Sequence, residues 1–188
     1  MHPRHISIND FTYHLPNEKI AFHPLQQRDQ SKLLIYKKGE IKEDIYKNIA
    51  GNLPENSLLI FNNTKVIPAR ILFKKETGGT IEIFCLEPFE EEYTTVMNKK
   101  SSAKWKCMIG GASKWKEGNL TKKITVNNEE VILTATLKQK LPDAYVTEFS
   151  WQPSHYSFAE VIEQAGDIPL PPYIKRDVEE NDKERYQT

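Results

Sequence analysis

The order of apolar and polar residues changes most abruptly between residues 57 and 70. The run 57–61 follows a Pro-Glu-Asn turn, and its continuous apolar character predicts a strand covered on both faces. Two amides, a hydroxyl and a lysine come directly after it, at Asn62, Asn63, Thr64 and Lys65. Ligand sites often lie at the carboxyl end of such a strand. A plain turn remains open, because Asn-Asn-Thr tolerates unusual backbone angles and Pro68 disfavours helix at the residue before it.

The segments before this run are shorter and more mixed. A brief helix is predicted near 17–22, between two prolines, and a strand at 32–36 turns through Lys38-Gly39 into 40–42. Ile45, Ile49 and Leu53 recur at four-residue spacing, which predicts a short amphipathic helix.

After residue 70 the pattern becomes a series of short strands with turn residues between them. Two apolar segments around Thr77-Gly78-Gly79 predict a hairpin of strands at 71–74 and 81–86. Further strands are predicted at 93–97, 104–109, 120–126, 130–137 and 144–149. Strands at this regular spacing predict a small antiparallel barrel or sandwich at about 69–152.

Helical patterning returns at Ser157, where Ser-Phe-Ala-Glu forms a capping-box pattern for a helix that ends at Gly166. The proline-rich segment 169–173 predicts extended backbone. We therefore predict an α/β (α+β) domain with an inserted small antiparallel β-barrel. Its limits are 1–68 for the first part of the α/β domain, 69–152 for the barrel and 153–188 for the return.

Composition narrows the class of protein. The 26 basic and 26 acidic residues balance, so overall charge does not indicate a nucleic-acid partner. Two cysteines are too few for a disulfide scaffold and lack metal-ligand spacing, as do the scattered histidines. We expect a cytoplasmic protein, because no signal peptide and no apolar stretch of about 18 residues is present.

Residues 61–70, Phe-Asn-Asn-Thr-Lys-Val-Ile-Pro-Ala-Arg, resemble the most characteristic motif of the S-adenosylmethionine:tRNA ribosyltransferase-isomerase family of queuosine biosynthesis. Further matches occur in the family's order at Asp10-Phe11, Leu15-Pro16, Arg28, Ser31-Lys32-Leu33-Leu34, 78–82, 168–174, Arg176 and 185–188. The chain departs from the pattern at Lys32, where the family more often has arginine. It also stops inside the family's Arg-Tyr-Gln-Thr block, so the resemblance implies an amino-terminal half.

The resemblance implies a reaction without a metal. S-adenosylmethionine, as co-substrate, gives its ribosyl carbons to 7-aminomethyl-7-deazaguanine at the wobble position of tRNA, and adenine and methionine leave. The product is epoxyqueuosine. The resemblance further implies a monomer that works without a membrane.

The site residues follow from the same resemblance. Glu82 and Lys65 are the catalytic candidates, with Glu82 as base or cation partner. The substrate-binding candidates are Asn62, Asn63, Thr64, Arg70, Arg28, Tyr173 and Arg176, which offer hydrogen bonds, positive charge and an aromatic face. Purely structural roles stay open for three of these residues. Alternation favours a solvent-facing Glu82, Arg28 suits a solvated loop, and Tyr173 can simply pack on the prolines.

A lysine cluster with tryptophans suggests a contact with tRNA phosphates at Lys99, Lys100, Lys104 and Lys106. Trp105, however, alternates with other apolar residues and is predicted to lie in the barrel core. A non-catalytic β-barrel module that binds RNA through 99–116 is therefore the main rival function. An ordinary methyltransferase is a weaker rival, since no Gly-rich nucleotide loop follows a strand.

Overall fold

The structure is a computed structural model that describes residues 5–75, 77–115, 117–171 and 173–187. The predictions that fall on Lys116, Pro172 and Thr188 lie outside the described residues. Contacts divide the chain into two compact units. The first comprises the described residues of Met1–Asn62 and Pro171–Asp177, and the second those of Asn63–Leu170 and Val178–Thr188.

The first unit contains a hairpin and several 3-10 turns. Strands β1 (Lys32–Lys37) and β2 (Glu40–Ile45) pair antiparallel, and the turn between them holds Lys38 and Gly39 at positive φ. This confirms the predicted strands. The predicted helices are 3-10 segments, Asn17–Lys19 and Tyr46–Asn52. Every described residue from 5 to 62 is exposed or half-buried, so this part of the unit has no core of its own.

The predicted strand at 57–61 is wrong. None of these residues belongs to a strand, and the side chains of Leu58, Ile60 and Phe61 are 85%, 87% and 68% exposed. A strand requires a neighbour that accepts and donates its backbone hydrogen bonds. No described strand pairs with this segment, so apolar character alone did not produce one.

The second unit is built on one six-stranded antiparallel sheet. Its strands are β3 (Arg70–Lys74), β4 (Thr80–Pro88), β5 (Ser102–Gly110), β6 (Leu120–Val126), β7 (Glu129–Lys140) and β8 (Tyr145–Gln152). The spatial order is β3-β4-β5-β8-β7-β6, and the two edge strands lie against each other, which nearly closes a barrel. The predicted barrel and six of its seven strands are confirmed.

The seventh predicted strand, 93–97, is wrong, because this segment forms helix α1 (Tyr93–Asn98). Tyrosine, threonine and valine favour strands, but that preference yields to tertiary packing. Here Val96 is fully buried and the Tyr93 ring packs edge-on against Trp105, with ring centroids 5.4 Å apart. Residues three apart share one face of a helix, so a helical turn places both side chains on the barrel.

Helix α2 (Phe158–Ala165) covers the barrel core. Phe158 is fully buried, and its ring centroid lies 5.5 Å from that of Trp105 and 5.8 Å from those of Phe149 and Trp151. Trp105 is thus a core residue, as predicted. The half-buried Lys122 on β6 donates through Nζ to the Ala165 carbonyl at 2.6 Å, which fixes the carboxyl end of α2.

The two cysteines face each other on β4 and β5 as buried, free thiols. A hydrogen bond with Cys107, together with burial, raises the pKa of Cys85 well above its usual value. The thiol is therefore held in its unreactive protonated form. Among the described residues, no helix is long and apolar enough to cross a membrane.

The amino end of α2 has the predicted capping box. The Ser157 backbone N–H and hydroxyl donate to Glu160 at 2.8 and 2.7 Å, and together they lower the pKa of that carboxyl below its usual value of 4.5. A carboxylate with a lowered pKa stabilises the fold above its unfolded pKa, and the contribution is lost as pH falls through the folded pKa.

We therefore expect wild type to lose more stability than Glu160→Gln when urea unfolding is followed from about pH 6 to about pH 3. Parallel pH profiles for the two proteins would show that the charge of Glu160 contributes nothing to stability.

At neutral pH, Ser157→Ala should cost about 1 kcal/mol of unfolding free energy, the typical value for a lost N-cap.

Candidate functional site

The polar stretch singled out in the sequence leads into the edge of the barrel. Arg70 begins β3 and exchanges two backbone hydrogen bonds with Asp167, at 3.2 and 2.7 Å. The Ala69 carbonyl accepts from the Cys85 N–H at 2.9 Å. Residues 67–70 are therefore fixed between β4 and the segment after α2, while Asn63 and Thr64 before them are exposed.

Gly166 makes this close packing possible. A Cβ at this position would lie 1.8 Å from the Pro68 carbonyl oxygen, a distance that no side chain can occupy. Only glycine lets the end of α2 approach the motif backbone so closely. The sequence analysis used Gly166 only as a helix stop.

Arg70 and Glu82 form a two-point ion pair at this edge. Arg70 Nε donates to Glu82 Oε1 at 2.8 Å, and Nη2 donates to Oε2 at 3.1 Å. Glu82 lies on β4 diagonally across from Arg70, and opposite Glu82 stands Gly110, whose missing side chain leaves room for the carboxylate. Such two-point pairs fix the orientation of both groups.

This geometry bears on the base role predicted for Glu82. Both of its oxygens accept hydrogen bonds from Arg70, and each carboxylate oxygen has a second lone pair that can face a substrate. The pair remains half-buried, with side-chain exposures of 35% and 37%, so a substrate can reach it.

Lys65 lies beside a pocket of about 450 Å³. Its Nζ atom is 3.2 Å from Glu163 Oε1 on the exposed face of α2. The apolar walls come from Val66, Pro68 and Ile168. Three segments distant in sequence thus meet here: the motif stretch, α2 with the residues after it, and the carboxyl-terminal helix α3 (Asp182–Arg185) with the residues that follow.

Gln187 connects the last of these segments to the motif. Its side-chain oxygen accepts from the Val66 N–H at 2.8 Å, and its Nε2 lies 3.4 Å from the Val66 carbonyl and donates to the Lys183 carbonyl at 2.8 Å. A side-chain amide that pairs with the backbone N–H and carbonyl of one residue makes the same hydrogen bonds as a residue on a neighbouring strand. This attaches the Arg-Tyr-Gln segment to the wall of the pocket.

The four remaining substrate-binding candidates belong to the first unit. Arg28 starts a 3-10 turn and is exposed, Asn62 is exposed, and Tyr173 is 58% exposed. Arg176 donates through Nε to the Phe22 carbonyl at 2.8 Å and through Nη1 to the Asp177 carbonyl at 2.9 Å. In this geometry Arg176 links two backbone segments of its unit.

The four lysines predicted to contact tRNA lie in and before β5, and two of them are paired. Lys99 Nζ is 2.6 Å from Glu91, and Lys106 Nζ is 3.5 Å from both Glu87 and Asp143. Lys100 and Lys104 are exposed, and Lys104 stands opposite Glu148 in the register of the sheet. The surface therefore presents less positive charge than the sequence alone indicates.

Four polar or charged residues that line the pocket were missed as site candidates: Glu163, Lys183, Glu184 and Gln187. Glu163 carries no sequence signal beyond its place on a short amphipathic helix, and Gln187 was identified only as part of a family block. Among the described residues, no cluster of three or more histidine, cysteine, aspartate or glutamate side chains has the arrangement of a metal site.

Comparison with known proteins gives a consistent result. The family described as "Queuosine biosynthesis protein" matches residues 8–188. Proteins named S-adenosylmethionine:tRNA ribosyltransferase-isomerase from Geotalea uraniireducens and Pelobacter propionicus are 37% and 34% identical over 97% and 96% of the chain. One from Phocaeicola vulgatus is 32% identical over 97%.

The chain spans about half the length of these curated relatives, 49%, 48% and 50% respectively, and corresponds to their amino-terminal half. No solved structure gives a significant match.

Proposed function

Since the chain belongs to the queuosine biosynthesis protein family, we propose that it is the amino-terminal half of an S-adenosylmethionine:tRNA ribosyltransferase-isomerase. The whole enzyme transfers the ribosyl carbons of S-adenosylmethionine to the aminomethyl group of 7-aminomethyl-7-deazaguanine at the wobble position of tRNA. A carbon–nitrogen bond forms, adenine and methionine leave, and the sugar becomes the epoxycyclopentane of epoxyqueuosine. The enzyme acts as a cytoplasmic monomer.

The observation that supports this proposal is the convergence of family motifs at one place. The motif stretch at 63–70 and the Arg-Tyr-Gln segment at 185–187 are more than 100 residues apart, yet Gln187 binds Val66 directly. Arg70, which pairs with Glu82, follows Pro68 in the pocket wall by two residues along the chain. Concave pockets with a few convergent polar groups are the usual setting for small-molecule chemistry.

The reaction places three demands on the protein. The carbon next to the sulfonium is already activated, so the chain must supply a base, a proton source for adenine and an environment that keeps the attacking amine neutral. Glu82 is the proposed base, with Arg70 as the group that orients it and then receives a substrate anion. Lys65, Asn62, Asn63, Thr64, Arg28, Tyr173 and Arg176 remain proposed substrate contacts, and Lys99, Lys100, Lys104 and Lys106 remain proposed tRNA contacts.

The rival function, a non-catalytic RNA-binding barrel, depends on the lysine cluster. Lys99 and Lys106 already pair with carboxylates, so the exposed Lys100 and Lys104 carry most of the charge that the cluster can offer to an RNA backbone. The rival also leaves the pocket beside Lys65 and the Arg70–Glu82 pair without a role, which favours the enzyme.

Adenine release separates the two functions. The full-length protein, incubated with S-adenosylmethionine and tRNA that carries 7-aminomethyl-7-deazaguanine, should release one adenine for each modified tRNA. This chain should be assayed beside it, since release by the chain alone would place the chemistry within its 188 residues. RNA binding by the full-length protein without any consumption of S-adenosylmethionine would contradict the proposal.

A further inference from the structure

The pocket beside Lys65 is lined by two basic residues, Lys65 and Lys183, and by two acidic ones, Glu163 and Glu184. We propose that it binds the amino-acid end of S-adenosylmethionine, with Lys65 at the carboxylate and Glu163 at the ammonium group. This inference rests on the proposed function and adds the part of the substrate that the pocket holds.

The ion pair between Lys65 and Glu163 is the first support. Their side chains are 68% and 45% exposed, and an exposed pair of this kind adds little to the stability of the fold. A zwitterion that enters between them replaces one exposed ion pair by two, because its carboxylate faces Nζ and its ammonium faces the Glu163 carboxylate. In the exchange, Lys65 and Glu163 both keep a partner of opposite charge.

The walls provide the second support. Val66, Pro68 and Ile168 line the pocket, and Pro68 and Ile168 are buried. These apolar surfaces suit the methylene groups and the S-methyl group of a methionine side chain, whose burial is favourable in proportion to its area. A volume of about 450 Å³ leaves space beyond the amino-acid end, and pockets of roughly 300–1,000 Å³ are usual for small ligands.

Gln187 gives the third support, as a positioning residue. It binds both backbone polar groups of Val66 and therefore fixes the wall next to Lys65. The segment that carries the family's Arg-Tyr-Gln block thus forms one side of the pocket, and the pocket's shape depends on a contact between two motifs rather than on a single loop.

Ligand analogues with one charge removed test the assignment. Binding of L-methionine, L-methionine methyl ester and 4-(methylthio)butyrate to the full-length protein is measured by calorimetry for wild type, Lys65→Met and Glu163→Gln. The ester lacks the carboxylate, and the butyrate lacks the ammonium group. Wild type should prefer L-methionine to each analogue by about tenfold or more, as expected for a hydrogen bond to a charged group.

The two variants should each lose one preference only. Lys65→Met should bind the ester and L-methionine alike and still reject the butyrate, whereas Glu163→Gln should do the reverse. A purely structural role would weaken all three ligands together. The Lys138–Glu148 pair on β7 and β8, at 3.1 Å, supplies matched controls: Lys138→Met and Glu148→Gln should keep both preferences.

Unchanged preferences in both variants, or a wild type that does not bind L-methionine, would overturn the pocket assignment. The proposed function has its own readout, adenine release. If the wild-type enzyme releases adenine but the Lys65 variant keeps both ligand preferences, the proposed function stands and the pocket assignment is wrong.

Discussion

Replacing Glu82 by glutamine in the full-length protein should slow adenine release by about 10²- to 10⁴-fold, the usual contribution of a positioned general base. Glutamine keeps the length of the side chain and can still accept one hydrogen bond from Arg70, but it carries neither the charge nor the basicity. The two-point contact at 2.8 and 3.1 Å means that Glu82 and Arg70 act as one unit.

Arg70→Ala should therefore cause a loss of similar size, and the double variant should lose little more than either single variant. Rates for the three proteins, measured at saturating S-adenosylmethionine, test this non-additivity. Glu148→Gln removes a carboxylate from another ion pair of the same sheet and should leave turnover within about twofold of wild type, as expected for a surface pair.

Loss of fold can be separated from loss of chemistry. Both members of the pair are more than one third exposed, so breaking it should cost only about 0–1 kcal/mol of unfolding free energy. If Arg70→Ala and Glu82→Gln keep both substrate binding and turnover, the assignment of this site is wrong.

Gly166→Ala should be the most destabilising single-methyl change in the second unit. The added Cβ would lie 1.8 Å from the Pro68 oxygen, 2.9 Å from the Pro68 carbonyl carbon and 3.2 Å from the Ile162 oxygen. All three atoms are backbone, so no side chain can rotate away. Either the end of α2 or the motif stretch has to move, and overpacking of this kind costs about 1–3 kcal/mol or more.

For a chain of this size, 1 kcal/mol lowers the melting temperature by about 2–4 °C. We therefore expect a drop of roughly 2–12 °C in the melting temperature, together with weaker substrate binding, because the moved backbone carries Lys65 and Arg70. Gly79→Ala is the matched control, since Gly79 has no atom within 4 Å of an added Cβ and lacks a positive φ. Equal melting temperatures for Gly166→Ala and wild type would contradict the described packing of α2 on the motif.

The barrel could be predicted from the sequence because short stretches of residues specify its strands and turns. Each strand alternates buried and exposed residues, as in β4, and glycine or asparagine occupies turn positions with positive φ, such as Gly78 and Asn127. The capping box at Ser157 is equally local, and it fixed the start of α2 correctly.

The wrong predictions fall where tertiary contacts, or the lack of a partner strand, outweigh local preference. Segment 93–97 has the residues of a strand but forms helix α1, because Val96 and Tyr93 must face the barrel together. Segment 57–61 has the apolar residues of a buried strand, yet none of the described strands is its neighbour.

The candidate site was predicted in composition but not in arrangement. Lys65, Arg70 and Glu82 came from the family resemblance, and no local pattern indicates that Arg70 and Glu82 pair diagonally across two strands. Glu163 and Gln187 reach the pocket only through the packing of α2 and the carboxyl-terminal segment. Contacts across about 100 residues or more leave no periodic signal in a single sequence.

Isotope transfer tests the central claim most directly. The full-length protein is given tRNA that carries 7-aminomethyl-7-deazaguanine and S-adenosylmethionine labelled either in the ribosyl carbons or in the methyl group. The account predicts that the tRNA acquires the ribosyl label in amounts equal to the adenine released and that the methyl label leaves with methionine. Transfer of the methyl label to tRNA, or of neither label, would contradict it.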